Sequence, residues 1–518
     1  LFKKPYKSPE EEGKYTVSLE VTEMGKVEKA SIAVAVIAII IAAIAIYYAS
    51  SVTSEASGLR GLVTDLSRKV DSLSGQVSTL SSKVSELEKA LGAMAPPKPP
   101  LEELLKGFTL RVGVCLPLSG ALAAFGESGL RGALLATEEI NGAGGILGAK
   151  IELIIEDFAG DPKVAVTATE KLITVNKVHV LRGYFTSSAA MAAMPVAEKY
   201  KTPVLSIGSS AKELCMQGWK YWFKTPPNST MFSIVAVEFL TKWVEPQLKL
   251  GRPLKVAIIH ENTLMGVSDK NEFLNVIKSE GLKWEIVAVE AYPSGALDFK
   301  PLLEKVKAAA PDVIAISGYL TDTVLIAKQA NEVGLKAIWI SIGGAGMQTP
   351  KLIELAGENV KYWFVANEYW YDRAYPNKQA GYEISKKFMA RYGYPHDFQS
   401  WAGYAGMYML KLVIEDLAKQ NPDALKAAFE KDDVATIREM IASGLRNFRL
   451  YIDWLGEIYF EPNGQMAYSI SGPAMGCTVL QVQPASPGDL WYDSKSGLTF
   501  HTVWSPVYKT ADPILPPR

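Results

Sequence analysis

From about residue 109 onward the apolar positions alternate between two patterns. Leu110 to Leu116 is a short, nearly continuous apolar run, Leu118, Ser119 and Gly120 break it, and Leu130, Ala133, Leu134, Thr137 and Ile140 then recur at helical spacing. The expectation is strand, loop, helix. Asn141-Gly142 and Gly144-Gly145 end the helix, because its last residues need positive φ and Gly or Asn adopts it most cheaply. A second strand follows at Ile151 to Ile155, and Asp161-Pro162 opens the next helix as N-cap and first residue. Val178 to Leu181 and Val204 to Ser206 are expected strands, each followed by a hydroxyl-bearing loop: Gly183 to Ala189, and Gly208 to Ala211. Short buried strands alternating with amphipathic helices predict an open parallel sheet. Such sheets hold ligands beyond the strand C-termini, so Ser119 to Phe125 is expected to be a ligand lip.

The pattern then repeats. Val256 to His260, Ile286 to Val289, Val313 to Ser317, Ala337 to Ser341 and Tyr362 to Val365 predict a second parallel sheet, with Met265, Tyr319 and Gly343 just beyond three of those strands. Helices near Gly381 to Tyr392 and Trp401 to Leu417 are expected to return to the first lobe. Gly456 to Phe460, a Pro462-Asn463-Gly464 turn and Cys477 to Gln483 read as a hairpin belonging to the second. The segmentation is a tail over 1–30, an apolar anchor over 31–49, a stalk over 55–93 and a Pro-rich linker over 94–107. Lobe 1 takes 108–227 and 367–453, lobe 2 takes 228–366 and 456–484, and a Pro/Trp-rich tail takes 485–518. The lobes should be joined near Thr225 to Thr230, Val365 to Glu368 and Trp454 to Glu457.

Ahead of the two sheets the periodicity is different. Ile32 to Tyr48 is an uncharged Ile/Ala-rich run of membrane-spanning length, with Lys26 and Lys29 before it and no basic residue after it until Arg60. We read it as a membrane anchor whose N-terminal side is cytoplasmic and whose following residues are extracytoplasmic. A secretory signal peptide competes, but the run is longer than the usual apolar region of one. Lys29-Ala30 also resembles somewhat the processing site before the hydrophobic helix of archaeal pilins, although Ser31 and the lack of an early Glu speak against cleavage there. A strict heptad follows: Leu59, Leu66, Leu73, Leu80 and Leu87 at d, with Val63, Val70, Val77, Val84 and Leu91 at a. An amphipathic helix lying on a globular core would carry a wider apolar stripe, so this seam predicts self-association through Leu59 to Leu91 as a coiled coil. Val at a with Leu at d favours a parallel dimer, with a trimer open. Ala95 to Pro100 cannot continue the helix and reads as a semi-rigid spacer.

Composition excludes more than it selects. With 518 residues, 48% of them apolar, several cores can form, and a net charge of -1 argues against a nucleic-acid partner. Cys115, Cys215 and Cys477 form no CxxC or Cys/His spacing, and are read as packing residues before a disulfide. The four histidines, at 179, 260, 396 and 501, are isolated, so no metal site, cofactor or catalytic base is expected. The sequon at Asn228 is a weak glycosylation signal.

The runs GVCLPLSG, FGESGLRGALLATEEINGAGGILG and EDFAGDPKVAVTATEKLI, in that order, resemble the solute-binding proteins of branched-chain amino-acid type ABC importers, and the resemblance continues to about Gln483. It implies a two-lobed α/β fold of the type I periplasmic binding kind, in which doubly wound parallel sheets hinge over a small molecule. It also implies ABC permease subunits as partners. By this resemblance Ser187 and Ser210 fall where carboxylate-binding hydroxyls sit, Gly208 where a backbone group meets the ligand, and Thr186 and Ser209 share their loops. Ordinary turn and cap chemistry competes for all four hydroxyls. Tyr319 matches an aromatic lid residue, while Met265 and Phe125 replace aromatic positions. Gly343 stands where amino-acid binders carry the acid that holds the ligand ammonium. The resulting expectation is an amide, an organic acid or an apolar amino-acid derivative in preference to free leucine, unless Glu368 or Asp372 supplies the acid. A filament or surface-layer subunit built on the same fold is the competing function. Catalysis is not expected, because no Ser-His-acid, Walker or complete dinucleotide pattern occurs.

Overall fold

The computed structural model describes residues 56–94, 100–343, 345–367, 378–452, 456–468, 478–485, 489, 491, 493–504 and 511–516. The expected anchor, residues 95–99 of the linker, Cys477, Glu368 and Asp372 lie outside them. Among the described residues no helix is long and apolar enough to cross a membrane. Helix α1, Ala56–Met94, is a unit separate from everything after Pro99. Leu66, Leu73 and Leu80 stand exposed along it, 46%, 59% and 62% accessible among the described residues.

The second unit begins with β1, Thr109–Leu116, α2, Ala123–Gly142, β2, Lys150–Asp157, and α3, Pro162–Thr174. Asp161 accepts from Lys163 N at 2.7 Å as the N-cap of α3. Then come β3, Val180–Arg182, α4, Ser187–Lys199, β4, Val204–Leu205, and β5, Trp222–Phe223. These strands form a five-stranded sheet in the order β2-β1-β3-β4-β5, parallel throughout. The α2 helix starts earlier than its apolar spacing suggested, so Phe125 sits in its first turn rather than in a loop.

After α5, Ser229–Phe239, and α6, Glu245–Leu248, the second sheet is built from β6, Lys255–Glu261, α7, Leu264–Ser279, β7, Glu285–Tyr292, α8, Lys300–Ala308, and β8, Val313–Ser317. It continues with α9, Leu320–Glu332, β9, Ile338–Ser341, α10, Lys351–Ala356, and β10, Phe364–Asn367. Its parallel part runs β7-β6-β8-β9-β10, the same winding as lobe 1. Val256, Ala257, Ile258 and Ile259 are all fully buried, as expected where helices cover both faces of a parallel sheet.

Helices α11, Lys378–Tyr392, α12, Phe398–Gln420, α13, Pro422–Glu430, and α14, Val434–Asn447, follow. Close approach fixes α12 on α2. A Cβ on Gly132 would lie 2.0 Å from Ser400 O, and one on Gly403 2.1 Å from Gly129 O, so only glycine lets these backbones touch.

The C-terminal strands depart from the expected hairpin. β11, Arg449–Ile452, β12, Gly456–Phe460, and β13, Met466–Tyr468, form a separate antiparallel sheet, with the Pro462-Asn463-Gly464 turn joining β12 to β13. Phe460 packs on Phe223 of lobe 1 at 5.3 Å, and Lys224 bridges to Gln465. Of the segments expected to form the hairpin, β14, Thr478–Pro484, joins the second sheet, antiparallel to β10. The apolar residues of β12 therefore serve the first lobe's side of the hinge, which local alternation could not reveal. β15, Leu498–Trp504, pairs antiparallel with β14 and makes the sheet seven-stranded, giving the Trp/Pro-rich tail a place that its sequence did not predict.

Candidate functional site

The two sheets face each other across a cleft lined by the connections after β1, β3, β4, β6, β8 and β9. At its centre Phe125 stacks on Phe185 with ring centroids 4.8 Å apart, and Tyr319 from lobe 2 closes on both, at 6.4 and 6.0 Å. All three are buried, and burial among acids pushes the Tyr319 phenol pKa well up, so it stays a neutral hydroxyl. Behind this aromatic contact lies a small, partly open pocket lined by Phe185, Gly208, Ser209, Ser210 and Phe232 with Met265, Gln348, Phe398 and Gln399. A larger cavity of about 80 Å³ lies at Phe125, bordered by Arg131, Lys351, Tyr394 and Asp397.

The expected hydroxyls separate by what they already bond. Thr186 caps α4, accepting from Ala189 N at 3.3 Å. Ser187 accepts from Ala211 N at 3.1 Å and so ties the two loops together. Ser209 occupies the left-handed region, φ 68°, and its hydroxyl donates to Tyr184 O at 2.7 Å and Thr186 O at 3.2 Å, holding that unfavourable conformation. For Thr186 and Ser209, turn and cap chemistry accounts for the hydroxyl. Ser210 differs: its Oγ is buried without a hydrogen-bond partner among the described residues. So are both amide atoms of Gln399, whose side chain is fully buried beside the same cavity. Orphaned polar atoms cost about 1–3 kcal/mol each, and a cluster of them on one cavity calls for a partner that completes it.

Gln399 is in place because Asp397 starts α12 with a capping box, accepting from Ser400 N at 2.9 Å. Trp401 had been expected to open that helix, which kept Gln399 out of the candidate set. Phe185 was also missed, although an aromatic directly before the Thr186-Ser187 pair was visible. Gly208 meets Phe185 O so closely that an added Cβ would lie 2.7 Å away, so the two loops touch through it.

Beneath these loops lies Arg182, fully buried, donating to Leu205 O at 2.6 Å, Ser206 O at 3.3 Å, Ala402 O at 2.5 Å and Gly403 O at 3.4 Å. Burial lowers its pKa to about 9, which leaves it charged at neutral pH. Lobe 2 answers with acids. Asp269 on α7 is fully buried, and Glu261 and Asp322 are buried nearer Tyr319. Burial raises the Asp269 pKa to about 7 and that of Asp322 to about 6. Gly343, with φ 136°, lies against the Asp269 carboxyl: an added Cβ would be 2.6 Å from its oxygens. Across the rim Lys212 Nζ reaches Glu272 at 2.9 Å and Lys351 Nζ donates to Tyr394 Oη at 2.8 Å.

The chain belongs to the periplasmic binding protein family, whose match covers residues 109–467. It is 33% identical over 252 residues to the Leu/Ile/Val-binding protein homolog 7 of Brucella suis biovar 1, a match covering 48% of this chain and 62% of that relative. The chain thus spans under two thirds of that relative's length. Its fold resembles the leucine binding protein LivK of Thermotoga maritima, with a TM-score of 0.59 and 24% identity over 77% of this chain and 99% of the other. An ABC transporter solute binding protein of Rhodopseudomonas palustris, solved with 3,4-dihydroxybenzoic acid, aligns with a TM-score of 0.59 and 19% identity over 73% and 94%.

Proposed function

We propose that the chain is the extracytoplasmic receptor of an ABC importer, closing two lobes over a small amino-acid-like, amide or organic-acid ligand and presenting it to permease subunits. The observation that carries this reading is the set of polar atoms without a partner among the described residues, Ser210 Oγ and both Gln399 amide atoms, gathered on one pocket between the lobes. Ser210, Gly208 and Gln399 fix the ligand's polar end. Phe125, Phe185, Met265 and Tyr319 enclose its apolar part, while Thr186, Ser187 and Ser209 hold the loops in shape. Relatives that carry a leucine-binding name or an aromatic acid bracket the ligand size. It is a binder and not a catalyst. A thermal-shift screen of the full chain against amino acids, amides, organic acids and sugars tests the reading. Ligands that bind only the folded state must raise the melting temperature, and no shift from any class at millimolar concentration would reject it.

The same reading places the protein at the cell surface, anchored through Ile32 to Tyr48 and raised on a stalk that pairs with a second copy through Leu59 to Leu91. The exposed Leu66, Leu73 and Leu80 favour this occupant, because their spacing fits a heptad seam. Leu73→Asp with Leu80→Asp should turn the oligomer into a monomer in sedimentation by burying charge in the seam. A wild-type chain that already sediments as a monomer refutes the pairing. Electron microscopy of cell-surface material separates a tethered receptor from a filament subunit.

A further inference from the structure

The unpartnered groups on the pocket differ in kind. Gln399 is fully buried in the first turn of α12, and neither its amide nitrogen nor its amide oxygen has a hydrogen-bond partner among the described residues. The side chain therefore sets an empty N–H donor beside an empty carbonyl acceptor in one plane. Turning the amide over exchanges the two positions and still leaves one of each. Ser210 lines the same pocket, and its backbone is already held, because Ser210 O accepts from Ser229 N at 2.9 Å and from the Ser229 hydroxyl at 3.1 Å. Its own hydroxyl can donate or accept as a third group.

The polar end of a ligand has to match that pair. A carboxylate carries acceptors only: it can take the Gln399 N–H, but it sets its second oxygen against the Gln399 carbonyl. An ammonium carries donors only and leaves the N–H empty. A carboxamide carries one donor and one acceptor in the same plane and closes both bonds at once, as a Gln side chain does with the donor and acceptor on an adenine edge. Arg182, one layer deeper, works toward an anion, but its two terminal nitrogens already donate to the Leu205, Ser206, Ala402 and Gly403 carbonyls, so the groups that line the pocket decide. The rest of the lining includes Phe185, Phe232, Phe398 and Met265, with the Phe232 and Phe398 rings 6.1 Å apart, which suits a short hydrocarbon or a single ring next to the amide.

Resting on the receptor reading, we infer that the pocket selects a small neutral carboxamide with an apolar substituent, and that Gln399 is the specificity-determining residue that tells the amide from the corresponding acid. This sharpens the expectation drawn from Gly343, which left amide and organic acid side by side.

The test is calorimetry on the full chain at pH 8 with benzamide, benzoate and acetophenone, three ligands of one shape, and with 3-methylbutanamide against 3-methylbutanoate. Each amide should bind at least about tenfold tighter than its acid, and benzamide tighter than acetophenone, which offers the acceptor without the donor. Gln399→Met keeps the bulk and removes both polar atoms, and should bring benzamide and acetophenone within about threefold of each other. Gln399→Glu presents acceptors alone and should turn the preference from benzamide to benzamidinium, which carries donors on both nitrogens. Each readout is a ratio of two ligands on one variant, so a loss of folded protein does not imitate it. Benzoate or acetophenone binding the wild type as tightly as benzamide, or an unchanged benzamide to acetophenone ratio in Gln399→Met, would overturn the assignment while leaving the receptor reading intact. If none of these probes binds the wild type, the assignment falls as well, and the wider thermal-shift screen decides the receptor reading on its own.

Discussion

The two lobes share one winding, β2-β1-β3-β4-β5 against β7-β6-β8-β9-β10, yet they bury charges of opposite sign toward the cleft. Lobe 1 places the Arg182 guanidinium under its hydroxyl loops, where its two terminal nitrogens donate to carbonyl oxygens. Lobe 2 places Asp269, Glu261 and Asp322 behind its loops, with burial raising all three pKa values. The shared winding provides the crevice, and side chains one layer below its surface give each wall a polarity. A dipolar ligand bridging the walls would be favoured in one orientation, because charges at low dielectric act further than surface ones.

The strongest way to break the lobe 1 wall is to separate α2 from α12. Gly403→Val would drive its side chain into Gly129 O, and backbone cannot yield as a side-chain tip does. Overpacking costs about 1–3 kcal/mol in side-chain cores, and a backbone clash should reach or exceed that upper end. Denaturant unfolding should show it, together with lost binding, since Gln399 loses its platform.

A second test addresses lobe 2 through pH. The folded Asp269 pKa, near 7, exceeds its ordinary value of 3.8, so the folded state binds more protons between these limits. That contribution is fully present below about pH 4 and lost as pH rises through 7. His179 and His396 act oppositely: burial lowers both to about 3 from 6.5, so their contribution is lost as pH falls below 6.5. Asp269→Asn removes only the first effect. Relative to wild type, it should gain stability progressively from pH 4 to 8 in the absence of ligand, as thermal unfolding across that range would show. A constant offset would mean that Asp269 does not titrate with folding.

Gln399→Leu tests the opposite wall without moving the backbone. Removing two unpartnered polar atoms should leave stability equal or slightly higher, while ligand binding weakens by about five- to a hundredfold for one lost hydrogen-bonding group. Calorimetry and unfolding measured together check it. Equal losses in both would make Gln399 structural.

The sequence showed the framework far better than the site. Continuous apolar runs such as Val256 to Ile259 announce buried parallel strands, and Asp161-Pro162 announces a helix start, because both signals are local. Ser209 and Ser210 look alike in the chain. They differ because the Tyr184 and Thr186 carbonyls accept from one hydroxyl and no group among the described residues bonds the other. Asp269 reads as a solvated position on an amphipathic helix until lobe packing buries it, and Gly343 reads as a deletion until the carboxyl beside it is seen. The β12 segment illustrates the same limit: its alternation was visible, but its partner, β13 rather than the strand near 480, was chosen by the hinge around Lys224 and Gln465.

The smallest expected effect concerns how the walls are held together. Lys212 of lobe 1 is about two-fifths exposed, while its partner Glu272 is nearly buried and also accepts from Thr230 at 2.6 Å and Asn275 at 3.0 Å. These neighbours keep Glu272 satisfied when the lysine leaves, so Lys212→Ala removes a screened ion pair worth about 0.2–1 kcal/mol and does not strand a charge. Because the pair spans the lobes, its loss acts on the closed form alone, and open and closed states shift by that amount. Affinity should fall by no more than about fivefold, mostly through faster dissociation, and the difference from wild type should vanish in about 1 M salt. Stopped-flow dissociation at low and high salt measures both. A salt-independent loss larger than tenfold would mean that Lys212 contacts the ligand rather than the opposite lobe.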